Sequence, residues 1–129
     1  MTPSPDAEPD ARAAVRVLLV DDNVDTLESM QILLQALGYE VAIARDAREA
    51  LSHAGSFGAT VAIVDIGLPG TTGYELAPAL REASPAPLRL VAFTGYSTDD
   101  ALAQAREAGF DTHLVKPVAL DSLLAALAG

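Results

Sequence analysis

Cysteine is absent from this chain, which excludes disulfides, thiolate metal sites and a cysteine nucleophile. Positive charge is scarce as well: eight Lys and Arg stand against eighteen Asp and Glu, a formal net charge of −10 at pH 7. That balance argues against a nucleic-acid partner, whose phosphates it would repel, and it suits a site that holds a cation. No stretch approaches the ~20 apolar residues of a membrane span. The start lacks a basic-then-apolar signal pattern, so the cytoplasm is the expected compartment. Large apolar side chains are missing from residues 2–14, where Pro3, Pro5 and Pro9 alternate with Asp6, Glu8 and Asp10. Residues 1–14 therefore read as a disordered tail or linker. Residues 15–129 are long enough for one domain with a normal core, and half the residues of the chain are hydrophobic.

What the chain does have is a regular alternation of short apolar runs and helical stripes. RVLLV at 16–20, VAIA at 41–44, TVAIV at 60–64, LRLVAF at 88–93 and THLV at 112–115 are strand candidates. The first and third are continuously apolar, as strands covered on both faces should be. Leu27, Met30, Leu34 and Leu37 form an apolar stripe that Gly38 ends as a left-handed cap. Asp46 with Glu49 resembles a capping box for a second helix. A third stripe of Tyr74, Ala77 and Leu80 starts after Thr72, with Pro78 inside it predicting a kink or a late start. Ser97 and Asp100 precede a fourth helix that stops at Gly109, and Leu120, Leu123, Leu124 and Leu127 make a short fifth. Five β–α units in succession predict an α/β fold, a doubly wound five-stranded parallel sheet with helices on both faces. Such sheets bind ligands at the carboxyl ends of their strands.

The residues just past those strands are chemically pointed. Strand one runs into Asp21 and Asp22, strand three into Asp65, strand four into Thr94 and strand five into Lys116. Strand two delivers only Arg45 and Asp46, as an edge strand away from the site would. Adjacent carboxylates repel each other and lose hydration beside a core. A divalent cation and a lysine would offset them. Oxygen ligands without histidine or cysteine select a hard ion, Mg²⁺ or Mn²⁺. Asp65 is then placed to act as a nucleophile toward phosphorus, giving an aspartyl phosphate. Lys116 and the metal would stabilise the transferring phosphoryl group, and Thr94 would donate a hydrogen bond to it.

LLVDDN, VAIVDIGLPGTTGYEL, LVAFTGYS, EAGFDTHLVKP and the closing leucines together resemble the receiver domain of bacterial response regulators, over residues 16 to about 127. The wording is most similar to receivers of hybrid histidine kinases. The resemblance implies the flavodoxin-like strand order 2-1-3-4-5. It implies phosphorylation of Asp65 by a histidine kinase or histidine phosphotransferase, in a signalling module that acts catalytically only on its own phosphoryl group. It implies metal ligation by Asp22, Asp65 and the Gly67 backbone carbonyl, with Asp21 acting mainly through water. Thr94 corresponds to the switch hydroxyl, Lys116 to the conserved-type lysine, and Lys116–Pro117 to a cis peptide, which is uncommon even before proline. The implied output is a protein partner docking on the face of helix four, strand five and helix five, with no effector domain within the chain.

Three positions depart from the family pattern. His113 stands three before Lys116, where the family has Tyr or Phe that turns inward as Thr94 moves, so the switch is expected to be partial. Gly67 and Tyr96, two after Asp65 and two after Thr94, are expected to tune phosphoryl lifetime. Other readings compete. A receiver that only docks a partner would not need the full set Asp21, Asp22, Asp65, Thr94 and Lys116. A phosphohydrolase of the haloacid-dehalogenase type would need Asp-x-Asp after strand one, where Asp21, Asp22 and Asn23 stand instead. GLPGTTG lacks the spacing of a nucleotide-binding loop and follows the wrong strand. His53 and His113 lack the surroundings of a phosphohistidine.

Overall fold

The structure, a computed structural model, describes residues 15–67, 70, 72–85, 87–95, 99–116 and 118–128. The elements alternate as the periodicities predict. In chain order they are β1 (Arg16–Val20), α1 (Val24–Ala36), β2 (Glu40–Ala44), α2 (Ala47–Ser56), β3 (Val61–Asp65), α3 (Gly73–Ala83), β4 (Arg89–Thr94), α4 (Asp99–Ala108), β5 (Thr112–Val115) and α5 (Leu120–Ala128). The strands form one parallel sheet in the order 2-1-3-4-5, the flavodoxin-like arrangement.

Alternation along the strands divides the core in two. Leu18, Val20, Ala62, Val64, Leu90 and Ala92 pack against α2, α3 and α4 through Ala50, Ala54, Leu76, Leu80 and Ala105. Val17, Leu19, Val61, Ile63, Val91 and Phe93 face α1 and α5, meeting Leu27, Leu34, Leu123 and Leu127. Small alanines dominate the first layer and leucines the second. The stripe of α1 is narrower than its spacing suggests: Leu27 and Leu34 are buried, Met30 is half-buried, and Leu37 is the C-cap. Gly38 follows at φ +100°, as its cap role requires. Leu34→Ala should cost about 2–5 kcal/mol, because that side chain is wholly buried. Denaturant unfolding measures it, and a loss under about half a kcal/mol would contradict the packing.

Local capping follows the sequence signals, with one change of partner. Asp46 Oδ1 accepts the Glu49 N–H at 2.9 Å, but the Glu49 carboxylate accepts from the Arg45 N–H at 2.8 Å. That bond and the Arg45 guanidinium hold the Glu49 carboxyl below its ordinary range. Thr72 Oγ1 accepts the Glu75 N–H, and α3 starts at the next residue. The expected late start does not occur: the helix runs through Pro78 to Ala83. Pro78 gives up the N–H that would reach the Tyr74 carbonyl, and its ring crowds that carbonyl. Leu76, Ala77 and Leu80 of the same helix are buried against the core, and that packing carries the helix through the proline. His53 is half-buried on α2.

The amino end of the sheet is pinned by arginines. Arg81 donates to the Leu88 and Gly109 carbonyls and pairs with Asp111, whose carboxylate also accepts the Leu90 N–H. Arg89 donates to the Ala126 carbonyl at 2.9 Å. Four sequence expectations lie outside the described residues: the tail at 1–14, Tyr96 near the phosphoryl position, Ser97 before α4, and the cis peptide at Pro117. Among the described residues no helix is long and apolar enough to cross a membrane.

Candidate functional site

The carboxyl ends of β1, β3, β4 and β5 lie side by side, and the edge strand β2 carries Arg45 and Asp46 away from them. Two strand ends differ by one residue from the sequence reading. Asp65 and Thr94 are the last residues of their strands instead of the first beyond them, since Asp65 pairs with Phe93 and Thr94 with Val115. Pairing with neighbours, which periodicity does not register, extends both strands. The consequence is a better anchored site, because the Asp65 and Thr94 backbones are held in the sheet. Bonds from Ile66 N–H to the Phe93 carbonyl at 3.0 Å and from Lys116 N–H to the Thr94 carbonyl at 2.8 Å continue that ladder past the strand ends.

Asp21, Asp22 and Asp65 each offer a carboxylate oxygen within 4.8 Å of the others. Asp21 and Asp65 are 3% and 7% exposed, whereas Asp22 is in solvent. Each buried acid accepts a backbone N–H two residues on: Asn23 to Asp21 Oδ1 at 2.9 Å, Gly67 to Asp65 Oδ1 at 3.0 Å. Asn23 also caps α1 by accepting the Thr26 N–H. The opposite oxygens face Lys116, whose Nζ lies 3.4 Å from Asp21 Oδ2 and 3.5 Å from Asp65 Oδ2. Three carboxylates against one ammonium leave two negative charges, which a divalent cation would match. The donor set is all oxygen, as a hard ion requires, so the residues present fit Mg²⁺ or a similar ion.

The loop after Asp65 is shaped by glycines. A Cβ at Gly73 would stand 2.8 Å from Ile66 Cα and 2.9 Å from the Asp65 carbonyl oxygen. Only glycine lets α3 begin so close to the strand end, and the Gly73 N–H to Ile66 carbonyl bond closes that turn. A Cβ at Gly67 would lie 3.6 Å from Asp65 Oδ1, so any side chain there would stand over the carboxylate.

Thr94 is buried at the end of β4, and alternation puts it on the face of Leu90 and Ala92. His113 is opposite Ala92 in the register, therefore on that same face, and is exposed. It borders a surface depression with Leu102 and Arg106 of α4. Tyr96 lies outside the described residues. The structure thus brings Asp21, Asp22, Asp65 and Lys116 into one cluster, with Thr94 on the adjoining strand end. It adds two residues that sequence reasoning passed over. Gly73 had a signal, as a glycine opening a helix immediately after a strand-end loop. Phe93, whose ring centroid is 4.8 Å from Lys116 Nζ, had none, because strand register brings it there.

Known proteins place these features. The chain is 33% identical over 111 residues to the CAI-1 autoinducer sensor kinase/phosphatase CqsS of Vibrio cholerae, covering 84% of this chain and 16% of that protein. It spans less than half the length of the curated relatives it matches. A crystal structure of a Burkholderia pseudomallei response regulator with a phosphorylated aspartic acid, calcium ion and citrate superposes with a TM-score of 0.80. Its identity is 33%, over 88% of this chain and 66% of that one. The receiver domain of Saccharomyces cerevisiae Ssk1, solved in complex with the histidine phosphotransfer protein Ypd1, matches with a TM-score of 0.81 and 26% identity, over 88% and 86% of the two chains. Residues 17–128 match the response regulator receiver domain, and with the acidic cluster at the strand ends this makes the chain a member of that family of two-component signalling domains.

Proposed function

We propose that this receiver takes a phosphoryl group onto Asp65 from the phosphohistidine of a histidine kinase or histidine phosphotransfer protein, in a Mg²⁺-dependent step. One observation carries the reading: Asp65 Oδ2 lies 3.5 Å from Lys116 Nζ while its carboxylate shares a cluster with those of Asp21 and Asp22. The phosphorylated aspartic acid and the calcium ion in the Burkholderia relative, and the phosphotransfer partner of Ssk1, support it. In the transfer an Asp65 oxygen attacks phosphorus, the P–N bond breaks, and its electron pair returns to the imidazole. Lys116 and the Thr94 hydroxyl donate hydrogen bonds to the phosphoryl oxygens. Asp22, Asp65 and the Gly67 carbonyl would hold the cation, with Asp21 acting through water. When bound, the cation neutralises charge on the phosphoryl oxygens. Mn²⁺ would serve the same oxygen donors.

The absent side chain at Gly67 leaves the Asp65 carboxylate open to water, which with Tyr96 would set the lifetime of the phosphoryl group. The added charge, about −1.5 to −2, draws Thr94 toward it, and His113 follows on the same face of the sheet. A histidine ring buries less area than Tyr, so the change at the face of α4, β5 and α5 is partial. The domain, residues 15–129, acts in the cytoplasm on a protein partner.

The test is the intact mass of the protein after incubation with acetyl phosphate. A single phosphoryl addition, mapped to Asp65 and abolished by chelation of Mg²⁺, is expected. Absence of any addition would leave a docking module, and labelling that survives chelation would refute the metal requirement.

A further inference from the structure

Lys116 is the only lysine in the chain, and its ammonium is less firmly held by its ion pairs than its position suggests. Both contacts are long, at 3.4 and 3.5 Å, and the side chain is 35% exposed. Partly solvated pairs at that separation fix a flexible side chain weakly. The same two carboxylates belong to the cluster that would bind a divalent cation. A cation in that cluster would draw on Asp65 directly and on Asp21 through water, and would repel the Lys116 ammonium. Some other contact must keep the lysine at the site.

The face of Phe93 offers one. Phe93 pairs with Leu114 in the parallel register, and Lys116, two residues on, points to the same side of the sheet. Its Nζ stands 4.8 Å from the ring centroid, within the range of a cation–π interaction. The ring itself cannot wander: it is 5% exposed in the core facing α1 and α5. The Phe93 carbonyl accepts the Ile66 N–H just after Asp65. An aromatic face attracts a cation without carrying net charge, so a divalent ion drawn to the carboxylates leaves the ring available to the ammonium.

From this geometry we infer that Phe93 is a positioning residue for phosphoryl transfer: its ring holds the Lys116 ammonium beside Asp65 when the carboxylates are given over to the metal. The inference rests on the reading of Asp65 as phosphoryl acceptor and deepens it. It also assigns an order of contacts, with Lys116 shared between Asp21, Asp65 and the ring before the metal enters, and retained by the ring afterwards.

Protein labelled with ¹³C-lysine reports on Lys116 alone. Methylene protons lying over an aromatic face resonate upfield, and the Lys116 ε-protons should do so both without Mg²⁺ and at saturating Mg²⁺. Phe93→Leu, which keeps an apolar core residue but no π-face, should abolish the upfield shift. It should slow labelling by acetyl phosphate about three- to tenfold. Phe93→Tyr, which keeps the face, should restore both. Lys116 ε-protons at their unperturbed position in Mg²⁺-loaded wild type would overturn the proposal, and that measurement needs no variant to fold. Equal slowing in the Leu and Tyr variants would overturn it too, as the mark of a packing defect. Wild-type protein that takes no label would refute the acceptor reading instead, while the lysine resonances would still decide where the ammonium sits.

Discussion

Asp65→Asn should take up no phosphoryl group from acetyl phosphate while remaining folded. A carboxamide oxygen carries no charge and is a poor nucleophile toward phosphorus, so the chemistry is removed at its source. The fold has reason to survive. Asparagine keeps an acceptor for the Gly67 N–H, which reaches Asp65 Oδ1 at 3.0 Å. Its NH₂ group would face Lys116 Nζ where Oδ2 now stands at 3.5 Å, leaving the ammonium with Asp21 and Phe93 as neighbours. One lost ion pair is set against one fewer carboxylate in a crowded cluster, two opposed terms of about 1 kcal/mol or less each. Net stability should therefore shift by no more than about 1 kcal/mol, while Mg²⁺ affinity falls with the loss of a charged ligand. Mass spectrometry and denaturant unfolding on the same sample separate the two effects. Full labelling in the variant would assign the phosphoryl group to another residue.

Lys116→Ala should move two quantities in opposite directions. Labelling at Asp65 should slow by roughly 10²- to 10³-fold, the usual cost of removing one preorganised donor to a developing charge. Mg²⁺ should bind more tightly, by roughly tenfold, because the ammonium now within 3.5 Å of the Asp21 and Asp65 carboxylates competes with the cation for that cluster. Without Mg²⁺ the variant should be less stable than wild type, as Asp21, Asp22 and Asp65 would repel with no offsetting cation. Saturating Mg²⁺ should recover that stability. A lysine that merely packed would give weaker or unchanged metal binding, so isothermal titration with Mg²⁺ discriminates. Labelling at the wild-type rate would remove Lys116 from the chemistry.

Both predictions draw on features that were legible in the sequence to very different degrees. The architecture was legible because it follows from local patterns. Continuous apolar runs mark strands covered on both faces, and VLLV at 17–20 and VAIV at 61–64 are buried along their whole length. The stripe of Leu27 and Leu34, the caps at Asp46 and Thr72 and the left-handed Gly38 each depend on residues within one or two helical turns. The acids were legible too, since a charge directly after an apolar run has few places to go except a strand end. The strand order came with the family resemblance and not from those patterns.

What the sequence determined by itself, then, was the set of elements and the identity of the polar groups at their ends, because hydrophobic period and capping chemistry are short-range. Only the tertiary structure decided how those groups meet. Lys116 reaches Asp21 across 95 positions of chain, a proximity created by the adjacency of β1, β3, β4 and β5. Pairing with neighbouring strands drew Asp65 and Thr94 into the sheet, although each looked like the first loop residue. Burial of Leu76, Ala77 and Leu80 holds α3 as one helix from Gly73 through Pro78, where the local rule had offered a late start as one outcome. Register alone put the Phe93 ring beneath the lysine, because a period of two assigns a side chain to a face but not to a neighbour on the next strand.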